Sequence, residues 1–181
     1  MSITKDITSS IASDITSLIA SDPAGFGPEL YPQDNAASVD TEVNASTGWT
    51  ANGTATLGVA SGAGQFDTGS YALSFQSNGP NDQIYFDLNT ILTNGTSYQL
   101  TSRFRHTGVG APASVVLAPD TTGIGVFTTI LKLTNTPTTF QDANHLFVHD
   151  STNWRYLAVR EDAIITTGGG YYDTISIREV L

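Results

Sequence analysis

The hydrophobic rhythm of the chain changes once. In residues 1–22, Ile3, Ile7, Ile11, Ile15, Leu18 and Ile19 recur at steps of four, four, four, three and one, with Ser, Thr and Asp between them. That spacing puts all six on one face of an amphipathic helix. Asp22-Pro23 ends it, because the residue before a proline avoids helical backbone angles. β-Branched Ile and Thr are weak helix formers, so the stripe needs something to lie on, either its own domain or another chain.

From residue 55 the period is two. "ATLGVA" (55–60), "YALSFQ" (71–76) and "QIYFDL" (83–88) are strand-length runs separated by Gly, Asn and Asp. "SYQLTSRFR" (97–105) alternates, with Tyr98, Leu100 and Phe104 on one face and Gln99, Thr101, Arg103 and Arg105 on the other. "SVVLA" (114–118), "IGVFTTILKLT" (124–134), "TTFQDANHLFVHD" (138–150), "WRYLAVRE" (154–161) and "GYYDTISIREV" (170–180) complete the series. About eight or nine such strands predict an all-β chain, a two-sheet antiparallel β-sandwich of the jelly-roll kind. Residues 23–54 are rich in Pro, Gly, Asn and Ser and read as a linker and loop-rich lead-in with at most one short strand. The expected division is therefore an N-terminal helix or anchor (1–22), a lead-in (23–54) and a sandwich domain (55–181).

Composition narrows the function. Of 181 residues only 13% are charged, and the net charge is −10. The first 102 residues carry −9 and the remaining 79 carry −1. A nucleic-acid partner needs a cationic footprint, so none is expected. With no cysteine, disulfides, thiolate metal sites and a Cys nucleophile are excluded. No run approaches the roughly 20 apolar residues of a membrane span, and no signal peptide is visible. There is no G-x-S-x-G elbow and no H-E-x-x-H, so no enzyme is expected. His145 and His149 lie about 13 Å apart on an extended strand, too far to share a metal ion. With His106 they read as surface or strand-edge histidines.

Five segments occur in a suggestive order: "TGWTANGT" (47–54), "GSYALSF" (69–75), "NGTSYQLTSRFR" (94–105), "TPTTFQ" (136–141) and "YYDTISIREV" (171–180). Together they resemble the β-sandwich carbohydrate-binding modules of the family 4/9/22 type, a galactose-binding-like jelly roll, over residues 29–181. One departure is Phe140, where the family often has tryptophan.

Two kinds of site are expected on such a frame. Aromatic rings stack on the apolar face of a pyranose, and the candidates are Trp49, Tyr85, Trp154 and Tyr156. No cofactor is otherwise expected, but the resemblance implies a structural Ca²⁺ in many members. Its ligands would include the carboxylate at the "y-D" position of the closing strand, here Asp173, with Glu29 as partner from the lead-in. Asp173 is in phase with Ile175 and Ile177, which points it inward, where it needs either a cation or backbone N–H groups.

Modules of this kind also recur in tailed-phage virion proteins. The leading expectation is a non-catalytic virion structural protein, made in the host cytoplasm: a phage capsid decoration (cement) protein, or a head-fibre or tail-associated subunit. Its partners would be other virion proteins and copies of itself, as a homo-oligomer such as a trimer, with the isoleucine stripe as the assembly interface. The alternative is a carbohydrate-binding module or lectin-like adhesin recognising a cell-surface polysaccharide.

Overall fold

The computed structural model describes residues 25–39, 42–79, 82–107, 112–122, 126–134, 139–161 and 168–181. The stripe Ile3, Ile7, Ile11, Ile15, Leu18 and Ile19, expected as an assembly helix, lies outside the described residues. Among the described residues there are eleven strands: β1 (Phe26–Glu29), β2 (Trp49–Asn52), β3 (Thr56–Ala60), β4 (Ala72–Ser77), β5 (Gln83–Asp87), β6 (Ser97–His106), β7 (Ala113–Ala118), β8 (Thr128–Leu133), β9 (Gln141–Val148), β10 (Tyr156–Glu161) and β11 (Gly168–Val180). They form two antiparallel sheets. One has the order β3-β4-β11-β6-β9 with β1 also on β11, and the other has the order β2-β5-β10-β7-β8. No helix among the described residues is long and apolar enough to cross a membrane.

The predicted β-sandwich is therefore present, and all nine predicted strands fall where the alternation places them. The lead-in differs. It contributes two strands, β1 and β2, and it supplies Tyr31, Ala36, Ala37 and Trp49 to the core. Gly- and Pro-rich sequence hides such strands because only four residues of each are paired.

Alternation sends Leu73, Phe75, Leu100, Phe104, Tyr172, Ile175 and Ile177 from the six-stranded sheet against Ile84, Phe86, Val115, Leu117, Leu157 and Val159 from the other. Stacked sheets bury one face each this way. An aromatic chain runs through the interface: Tyr31 against Phe86, Phe86 against Trp49, Trp49 edge-on to Tyr172, and Tyr172 edge-on to Phe104.

β11 is the hinge of the architecture. Gly168–Tyr172 pair with β4, whereas Arg178 and Val180 pair with β1, and β6 accompanies both halves. The change of neighbour coincides with a bulge between Asp173 and Ser176, where Thr174 takes φ 54. A β-branched residue in that region is strained, and a bulge is where one extra residue is accommodated.

Candidate functional site

The face of the five-stranded sheet turned away from the core carries a row of polar and aromatic side chains, some of them buried under a loop. In β5 and β10 the inward positions are Ile84, Phe86, Leu157 and Val159, so Gln83, Tyr85, Asp87, Tyr156, Ala158 and Arg160 point outward. Cross-strand register extends these into rows. Asn52, Gln83, Arg160, Ser114 and Lys132 lie side by side across all five strands. Two residues along, Thr50, Tyr85, Ala158 and Val116 form the next row.

Small side chains keep the floor low. Val116, Ala118 and Ala158 are buried beneath Tyr85 and Phe127 in a cluster separate from the main core. Satellite clusters of this type form under long loops. The loop is the chain leaving β7: the Asn52 side-chain amide on the far edge strand donates to the Thr121 carbonyl, so residues 119–122 reach over this face. The Arg160 guanidinium stacks on the Phe127 ring at 4.3 Å. Tyr85 and Tyr156 meet edge-on at 5.3 Å between ring centroids.

The Asp87 carboxylate grips Arg155 through Nε and Nη2, the shorter contact being 2.6 Å, and the Arg155 guanidinium lies 4.9 Å from the Tyr156 ring. That sandwich holds Tyr156 upright. Burial pushes the Tyr156 phenol above its ordinary value, so at neutral pH it remains a neutral hydrogen-bonding group.

Gln83 is the anomaly. It is 0% exposed, yet among the described residues neither its amide nitrogen nor its amide oxygen has a partner. Leaving buried polar groups unsatisfied costs about 1–3 kcal/mol each, which folds rarely tolerate without a reason. Aromatic faces beside amide and guanidinium groups can take a polyhydroxylated ring, apolar face on the tyrosines and hydroxyls on the polar row.

Of the four aromatic candidates, the structure brings two together, Tyr85 and Tyr156. Trp49 is corrected: it is a core residue, 6% exposed, its indole packed on Phe86 and Tyr172 and its N–H spent on Tyr31. Its neighbour Gly48 is held against the Phe86 ring, where a Cβ would fall 2.5 Å from Cε2. Trp154 sits in the turn before β10 and packs, half-buried, on the main core.

Asp173 is also corrected. The bulge shifts its phase, so it stands opposite Arg103 on the outer face, not inward with Ile175. It is buried because residues 67–68 fold over it: Oδ2 accepts from the backbone N–H groups of Asp67 and Thr68, and Oδ1 from that of Thr174. Burial nonetheless raises its pKa to about 6. Glu29 lies beyond the bulge, opposite Arg178. Its Oε1 accepts from the N–H groups of Leu30, Tyr31 and Ile177, and its Oε2 from the Ser176 hydroxyl. The two carboxylates do not converge, and among the described residues no three His, Asp or Glu side chains do. The pair does not fit the shared Ca²⁺ ligand set that the resemblance implies, because N–H donors occupy the oxygens a cation would take.

The histidines differ as well. His106 is buried between the sheets, with Nε2 3.1 Å from Glu161 Oε1, and His149 is buried against Asn89. Sequence reasoning missed Asn52, Gln83 and Phe127. The alternation in "QIYFDL" and "WRYLAVRE" already places Gln83 with Tyr85 and Arg160 with Tyr156. What it lacks is the pairing of strands some 70 residues apart that makes them neighbours.

No family model and no curated protein matches the sequence. Solved structures do match in fold. The first CBM22 xylan-binding domain of Paenibacillus barcinonensis Xyn10C superposes with a TM-score of 0.62 at 16% identity, over 87% of this chain and 96% of that one. The C-terminal family 22 carbohydrate-binding module of Clostridium thermocellum Xyn10B superposes at 0.61 and 17% identity, over 88% and 96%. The enzymatically active domain of tailspike protein 4 of bacteriophage CBA120 matches at 0.50 and 12% identity, over 76% of this chain and 20% of that one. The fold of this chain is that of the family 22 carbohydrate-binding modules, the jelly roll its sequence motifs resemble.

Proposed function

We propose that the protein is a non-catalytic carbohydrate-binding module that holds a polysaccharide on the outer face of its five-stranded sheet. The observation that carries this reading is Gln83, a fully buried amide with both polar atoms unpaired among the described residues, set beside Arg160 and two residues along the same strand face from Tyr85. A sugar hydroxyl both donates and accepts, which is what such an amide lacks. Tyr85 and Tyr156 supply the stacking surface and the Asp87–Arg155 pair holds one of them in place. The likeness to whole binding modules, over nearly their full length, supports the same reading.

The test is retardation of the protein in native gels containing soluble polysaccharides such as xylans, mixed-linkage glucans, mannans and galactans. One class is expected to retard the wild type, and Tyr85→Ala and Tyr156→Ala to abolish that retardation while remaining folded. Migration unaffected by every polysaccharide would end the proposal.

A second reading sets the module on a virus particle, as a capsid or tail-associated subunit. It is favoured by the fold match to a phage tailspike domain. The two readings are compatible, since a particle that holds cell-surface glycan needs such a module. Immunogold labelling of particles with antibody to this protein tests it.

A further inference from the structure

The opposite side of the molecule carries a surface that the glycan reading does not use. On the outer face of the six-stranded sheet, Ser97, Leu146, Val148 and Val180, with the core-facing Tyr98 and Phe147 between them along the strands, line a groove of about 310 Å³. Leu146 is 65% exposed and Val148 49% exposed, both on the edge strand β9. Val180 and Leu181 continue the apolar surface at the end of β11. A contiguous group of exposed aliphatic side chains on neighbouring strands marks an interaction surface.

The path of the chain names the cover. Phe26 pairs with Val180, Ser97 pairs with Val148, and the Gly25 carbonyl accepts from the Leu181 N–H. Residues 1–24 therefore join the described chain at the rim of this groove. Gly25 has φ 72, a left-handed conformation that lets the backbone reverse sharply there. From β1 to β9 is three strand spacings, about 14 Å, and a helix of about 20 residues is about 30 Å long. The stripe of Ile3, Ile7, Ile11, Ile15, Leu18 and Ile19 is long enough to cross all four strands.

We propose that the N-terminal segment packs its isoleucine stripe into this groove of its own sandwich, closing the outer face of the six-stranded sheet as an intramolecular strap. Each of the two apolar surfaces is then the other's partner, and the glycan face on the opposite sheet stays open.

The chain contains no cysteine, so engineered pairs report without interference. Val148→Cys is combined in the full-length protein with Ile11→Cys, Ile15→Cys or Leu18→Cys, and separately with Ser13→Cys on the opposite helix face. After oxidation in dilute solution, at least one stripe pair is expected to give an intrachain disulfide at five-fold or greater excess over the Ser13 pair. Disulfide-linked dimers instead would mean that a second copy fills the groove, and would overturn the proposal. No cross-link from any stripe position would overturn it too. A second measurement needs no cross-link: Leu146→Asp and Ile11→Asp are each expected to lower Tm by about 5 °C, and the double variant by little more than either. Strictly additive losses would contradict the contact.

Discussion

The indole N–H of Trp49 donates to the phenol oxygen of Tyr31 at 2.7 Å, and the Tyr31 hydroxyl donates in turn to Asn35 Oδ1 at 3.0 Å. This relay ties the lead-in segment to β2 inside the core. Burial holds the Tyr31 phenol well above its ordinary value, so it stays protonated and keeps donating. Tyr31→Phe removes the acceptor for the Trp49 N–H and the donor to Asn35. The expected loss is about 2 kcal/mol in urea unfolding, with no change in polysaccharide retardation. Loss of retardation at unchanged stability would place Trp49 in the binding site after all.

Gln83 predicts a trade between stability and binding. Gln83→Leu keeps the volume and removes both unpaired polar atoms, so stability is expected to rise by about 1 kcal/mol while polysaccharide binding falls ten-fold or more. Equal binding by wild type and variant would show that the amide serves no ligand.

Asp173 gives a pH signature whose sign is fixed by its raised pKa. Its folded value of about 6 lies above the ordinary 3.8, so the folded state binds the proton more tightly than the unfolded state. Its contribution to stability is fully present below about 3.8 and is lost as pH rises through about 6. The stability difference between wild type and Asp173→Asn, measured by urea unfolding from pH 3.5 to 7.5, should therefore fall with rising pH by at most ~3 kcal/mol. Asp82 works in the opposite direction, its carboxyl held down by hydrogen bonds from Thr54, Asn78 and Gly79, and it cancels in that difference. A difference independent of pH would contradict the raised value.

Glu29 fastens β1 to β11 by accepting from three backbone N–H groups and a hydroxyl. Glu29→Ala is expected to cost about 2–3 kcal/mol, since it orphans those donors. Adding EDTA or millimolar Ca²⁺ to the wild type should leave Tm unchanged in a thermal scan. A rise of several degrees with Ca²⁺ would return these carboxylates to a metal-binding role.

Much of this protein is legible in its alternation. The nine strands from β3 to β11 and the sandwich they build follow from period-two patterning, because one buried face per sheet imposes that period on any sequence. Tyr98, Leu100 and Phe104 face the core as "SYQLTSRFR" predicts. The edge-on pair Tyr85 and Tyr156 was also within reach, since both alternate out of phase with aliphatic neighbours.

Three things needed the tertiary structure. Trp49 sits in a Gly-rich loop by sequence, yet its partners Tyr31, Phe86 and Tyr172 come from three distant segments that only folding brings together. Asp173 reads as inward until the bulge at Thr174 adds one residue and reverses its face, a shift that depends on β1 and β4 meeting the same strand. The row from Asn52 through Gln83 and Arg160 to Lys132 depends on the order of strands in the sheet. Periodicity is a local property of the chain and survives in the sequence. Strand order and register are decided by which faces pack, a global minimum that no short window contains.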